Sequence, residues 1–178
     1  MSIPNNTILE FQKKARETFG ALAAEFNLEI IQKDEMTFYL RGKIVEFRLY
    51  VYPSHVPVVE LSLMPIGSQW NRWQQESLTG KIGFSLAALV SMRKPEALCP
   101  DMHFRTCQEL SDHVEKLIQM LRDVGGDLLA GDASVLSKLA DYIDDRVKRK
   151  ASAKRLLGIL SSQNSNQGCP HVRQVEKQ

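Results

Sequence analysis

Between Lys43 and Met64 apolar and polar residues alternate with a period of two. Val45, Phe47, Leu49 and Val51 fall on one side; Ile44, Glu46, Arg48, Tyr50 and Tyr52 fall on the other. β-Branched and aromatic residues in that alternation predict a half-buried antiparallel strand. Pro53 and Pro57 bracket a turn, since neither can donate to a sheet ladder. Val59, Leu61 and Leu63 then alternate with Glu60 and Ser62 in a returning strand. Val45, Phe47, Leu49, Leu61 and Leu63 are therefore expected on one buried face, and such a face needs a cover of helices.

The period changes on either side of this hairpin. Ile8, Phe11, Ala15, Phe19, Leu22 and Phe26 recur every three or four residues and predict a helix to about Phe26, with Asn27 as its stop. Thr7-Ile-Leu-Glu10 reads as a capping box at its start. Leu28–Gln32 and Met36–Leu40 are predicted strands joined at Asp34-Glu35, and Gly42 is expected to take the positive φ of a tight turn into the third. Four strands close in sequence predict a meander.

Ser68–Glu76 fits a short helix or an ordered loop, and Ser85 fits the cap of a short helix ended by Pro95. Residues 94–106 read as a connector. Val114, Leu117, Ile118, Leu121, Val124 and Leu128 then form a helical stripe starting near Ser111 or Asp112, weakened or ended at Gly125-Gly126. A last stripe, Val135, Leu136, Leu139, Ile143 and Val147, follows Asp132, a good N-cap beside the positive end of the helix dipole.

The fold class predicted is α+β: an N-terminal helix, an antiparallel meander of about four strands, and C-terminal helices packed on or beside the sheet. One domain is expected over residues 1–160, followed by a polar tail, 161–178, read as disordered.

Charge changes this picture at one end. From Arg146 onward there are eight Lys/Arg and one Glu; the residues before it hold fifteen Lys/Arg and twenty Asp/Glu. The net charge of +2 thus hides an acidic body and a basic end. Apolar residues make up 43% and charged residues 25%, ordinary for a soluble globular chain able to bury a core without metal or disulfides. Three cysteines without a regular framework, no signal-peptide pattern and no membrane-length apolar run predict a cytoplasmic protein with reduced thiols and no membrane partner.

The order of parts, with the junction Gly126-Asp-Leu-Leu-Ala-Gly-Asp132, resembles a group of small bacterial cytoplasmic proteins, some of which look like toxin-immunity proteins. The resemblance spans roughly residues 8–147 in general pattern, and the basic extension beyond Arg146 lies outside it. It implies a protein-binding role, with a toxin as one class of partner, and transfers no catalytic residue.

Candidate chemistry is sparse. Cys99, His103 and Cys107 stand four residues apart, and Cys169-Pro-His171 follows in the tail. Zinc takes these ligand types, but structural sites pair ligands more closely and twice, so no metal or cofactor is expected. Cys-His catalysis needs a base in reach and a third orienting group, which the spacing does not supply. Asp141, Asp144 and Asp145 share a helix as a solvated acidic face. There is no Walker loop, dinucleotide fingerprint or HExxH, which argues against an enzyme, and no catalytic residue is assigned.

Binding candidates are clearer. Trp70 and Trp73, at i and i+3, would share a helix face as a binding anchor or as a cover over the core. Lys148, Arg149, Lys150, Lys154 and Arg155 form a basic helical cluster able to attract phosphates, though no nucleic-acid motif or interleaved aromatic accompanies it. The leading expectation is a non-catalytic protein that binds another protein, of immunity type. The alternative is a nucleic-acid-associated protein using the basic end.

Overall fold

The structure is a computed structural model and describes residues 3–67, 83–97 and 99–165, with side chains described to residue 152. Trp70, Trp73, the Ser68–Glu76 expectation and the tail beyond 165 lie outside the described residues.

Helix α1 spans Asn5–Phe26 and buries Phe11, Ala15, Phe19 and Leu22. The expected capping box does not form. Pro4 is the N-cap, and its carbonyl accepts from the amides of Thr7 at 3.0 Å and Ile8 at 3.2 Å. The proline ring pre-sets the turn, so the helix starts two residues before Thr7. Thr7 is instead buried with its hydroxyl 3.6 Å from Cys107 Sγ, and Glu10 accepts from Ser111 Oγ at 3.0 Å. Asn27 does stop the helix, in the left-handed conformation at φ 53°.

The sheet is an antiparallel meander, β1 (Glu29–Asp34), β2 (Thr37–Arg41), β3 (Val45–Tyr52), β4 (Val58–Pro65) and β5 (Phe84–Ser85), hydrogen-bonded in that order. Phe47 opposes Leu63 and Leu49 opposes Leu61. With Val45 they are at most 3% exposed, so the alternation gave the right face. Gly42 departs from expectation: its φ is not positive. Its amide donates to the Val45 carbonyl at 2.9 Å, and a Cβ there would lie 3.2 Å from Leu28 Cδ2 and 3.3 Å from that carbonyl. Close approach, not handedness, is what a side chain would disturb.

Helices cover one face of this sheet. Helix α2 (Leu86–Arg93) is capped by Ser85, whose Oγ accepts from Ala88 N at 3.2 Å. Helix α3 (Cys107–Leu129) packs on α1, α2 and β4. It starts earlier than the apolar stripe predicted because Thr106 and Glu109 form a capping box. It also runs through Gly125-Gly126. Gly125 is buried, and a Cβ there would stand 2.7 Å from Leu121 Cδ1 and 3.7 Å from Leu89 Cδ2. The glycine leaves room for the Leu121 side chain one turn earlier on the same helix, and it does not end the helix.

Helix α4 (Ser134–Ser165) passes the boundary expected at residue 160. Asp132 Oδ1 accepts from Ser134 N at 2.8 Å just before it, holding the Asp132 carboxyl below its usual range. Val135, Leu136, Leu139 and Ala140 join the common core, which runs through Phe11, Phe38, Phe47, Phe84, Leu110 and Leu121. The Phe11 and Phe38 rings meet edge to face at 5.8 Å. No described helix is long and apolar enough to cross a membrane.

Candidate binding surfaces

Because strand residues alternate, burying Phe47 and Leu49 turns Arg48 and Tyr50 outward. Register aligns Tyr39, Arg48 and Ser62 across β2, β3 and β4, and Thr37, Tyr50 and Glu60 in the next row. Tyr52, opposite Val58, is 57% exposed. The helices lie on the other face, so no described helix covers these rows.

The charges on this outward face are mostly engaged. Arg41 holds Glu46 with Nε–Oε2 at 2.7 Å and Nη2–Oε2 at 2.6 Å. The Tyr50 hydroxyl donates to Glu60 Oε2. Burial first, then this bond to a carboxylate, pushes the Tyr50 pKa up to about 12. The Arg48 guanidinium stacks over the Tyr50 ring, 4.2 Å from its centroid, and its buried Nε has no hydrogen-bond partner. Among the described residues Arg48 has no carboxylate partner, so a stacked guanidinium stands among three tyrosines.

A second feature is a break in the sheet edge. β5 pairs with Ser62 and Leu63 only. Nearer the start of β4, Val59 N donates to Met102 O at 3.1 Å and Phe104 N to Pro57 O at 3.0 Å, bridging Val58 to His103. Between the two lies a groove of about 450 Å³ whose lining includes Glu60, Ser85, Cys99, Asp101, His103 and Met120. Asp101 accepts from the His103 amide at 3.0 Å and engages His103 Nδ1, and these bonds hold the Asp101 carboxyl below its usual range. That is half of a base-and-orienter arrangement. The Cys99 sulfur faces the Ala87 carbonyl at 3.8 Å, and Cys107 lies against Thr7. Cys99 and His103 thus line one groove while Cys107 stands apart, and no group of three or more His, Cys, Asp or Glu converges as a metal set among the described residues.

The basic cluster lies on α4. Lys148, Arg149 and Lys150 are exposed, beyond the last residues that α4 gives to the core, and Lys154 and Arg155 follow on the same helix. Arg146 lies over the Tyr142 ring at 5.8 Å.

Sequence reasoning did not single out Tyr39, Arg48, Tyr50 and Tyr52 as a surface. The signal was present in the polar phase of β3, which is rich in tyrosine and arginine where a merely solvated face needs neither. Comparison of the chain with protein-family models, with curated proteins and with solved structures finds no match.

Proposed function

We propose that this chain is a non-catalytic protein-binding protein whose partner docks on the outward face of the sheet. The observation that carries the reading is the Arg48–Tyr50 stack set beside Tyr39 and Tyr52. Arginine and tyrosine are the residue types that most often dominate binding energy at interfaces, where a rigid aromatic body offers area at little entropic cost. Antiparallel ladders hold these side chains in fixed register. The partner's chemistry follows from the charges: a carboxylate against Arg48, ringed by apolar side chains over the tyrosines. Glu46 and Glu60 on the same face disfavour a phosphate backbone there. The resemblance to toxin-immunity proteins supports a toxin as the class of partner.

The test is capture from the native host with identification by mass spectrometry. A protein retained by the wild type and lost by Arg48→Ala and Tyr50→Ala, both folded by circular dichroism, supports the reading. Equal retention by both variants removes it.

A second reading rests on the exposed cations Lys148, Arg149 and Lys150. If α4 binds nucleic acid, affinity falls steeply with salt as counterions are released, and changing the three residues to Gln flattens that slope. The protein-binding reading expects the triple variant to keep its partner.

A further inference from the structure

β1 is the outermost strand of the sheet, and among the described residues nothing pairs with its outer edge. A row of free amides and carbonyls of this kind is a template for another strand. Five of the six residues of β1 are exposed, and Ile30 is 37% exposed. Glu29 and Lys33, at its two ends, have no ion-pair or hydrogen-bond partner for their side chains among the described residues.

We infer that β1 pairs with β1 of a second copy of this chain, antiparallel, about a two-fold axis through Ile31. The strand reads Glu29-Ile-Ile-Gln-Lys33-Asp34. Turned end for end about Ile31, it sets Glu29 opposite Lys33 of the partner subunit, and Lys33 opposite the partner's Glu29. Ile31 then meets the partner's Ile31, and Ile30 meets the partner's Gln32. Directly opposite residues share a face, so a two-fold perpendicular to the sheet allows only registers that pair a residue with itself. Centring on Ile30 would set Glu29 against an isoleucine, and centring on Gln32 would set Lys33 against one. Only the Ile31 register joins opposite charges at both ends.

A bulge and a lysine on an edge strand usually guard it against indiscriminate pairing. Here the bulge falls between Gln32 and Asp34, at Lys33. The four-carbon stem of lysine spans that offset, and its charge excludes partners without a carboxylate at the matching place. The two features thus make the edge selective for its own sequence. The result is one ten-stranded sheet carrying both copies of the Arg48–Tyr50 face on the same side. The inference stands whether or not that face is a docking site.

Sedimentation equilibrium on the full chain tests it. The wild type is expected to form a dimer whose fraction rises with protein concentration. Glu29→Lys alone and Lys33→Glu alone are each expected to be folded monomers, because each sets like charges opposite one another at both ends. The double reversal restores the dimer. Mixing the two single variants gives a heterodimer, since one then carries lysine at both end positions of β1 and the other carries glutamate at both. That rescue separates the pairing from a folding defect. A wild type that stays monomeric at all concentrations overturns the inference, as does a dimer that neither single reversal weakens.

Discussion

The Tyr50 hydroxyl donates to the carboxylate of Glu60, the residue directly opposite it across β3 and β4. Burial and this bond both favour the neutral phenol, so its pKa rises from 10.0 to about 12. A group whose folded pKa is raised contributes stability in full below its unfolded pKa and loses it as pH climbs through the folded value. The contribution of Tyr50 is therefore whole below about pH 10 and vanishes through about pH 12. Ultraviolet titration is expected to find a phenol that ionises late and that is lost in Tyr50→Phe. Glu60→Gln should lower that pKa only in part, because burial is the larger cause. A late phenol that survives Tyr50→Phe contradicts the assignment.

Phe47 sits at the centre of the core with no exposed surface. Phe47→Ala should destabilise the fold by about 3–5 kcal/mol, the range for emptying a fully buried aromatic site. A chemical-denaturation midpoint close to wild type would place the side chain outside the core.

Two adjacent glycines should respond in opposite ways. A Cβ at Gly126 meets nothing within 4 Å, so Gly126→Ala should stabilise α3 by roughly 0.5–1 kcal/mol through helix propensity alone. At Gly125 the added methyl would lie 2.7 Å from Leu121 Cδ1, so that gain should be lost or reversed. Thermal melts of the two variants read the contrast directly; equal shifts would mean that the Leu121 side chain does not crowd a Cβ at Gly125.

The capping box at α3 gives a pH-dependent prediction. Glu109 Oε2 accepts from the amides of Arg105 at 2.6 Å and Thr106 at 3.2 Å, which depresses its pKa. The stability it contributes is present above the ordinary value of 4.5 and is lost as pH falls through the folded one. Thr106→Ala should lower stability by about 0.5–2 kcal/mol at neutral pH. Glu109→Gln should flatten the fall in melting temperature on acidification, and an unchanged acid limb would refute the link.

The fold was largely legible because each long element carried one clean period. The alternation in β3 and β4 fixed their buried face, and the stripes of α1, α3 and α4 located three of the four helices among the described residues. Errors came where local chemistry has two readings. Thr7-x-x-Glu10 and Thr106-x-x-Glu109 carry the same capping signature, but Pro4 starts the first helix early and nothing displaces the second. β5, with two residues, has no period to detect. The candidate surface was harder to see. Arg48, Tyr50 and Tyr39 come together only through cross-strand register, which a single strand does not state. Of the residues marked from sequence, the cations on α4 stand apart from this face, and the two tryptophans lie outside the described residues.

The contact between Glu10 and Ser111 joins residues 101 positions apart, and α1 meets α3 along its length. During synthesis, the meander emerges while α3, which packs on α1 and β4, is still unmade. At about 5–20 residues per second, the ribosome takes on the order of several seconds to pass from Phe38 to Leu110. Through that interval Phe47, Leu49, Leu61 and Leu63 belong to a core that still lacks α3, and they sit on β-rich segments that aggregate readily. Aggregation is therefore the hazard the nascent chain meets until α3 is made. Slowing translation between β4 and α3 should lower soluble yield more than slowing it within α4.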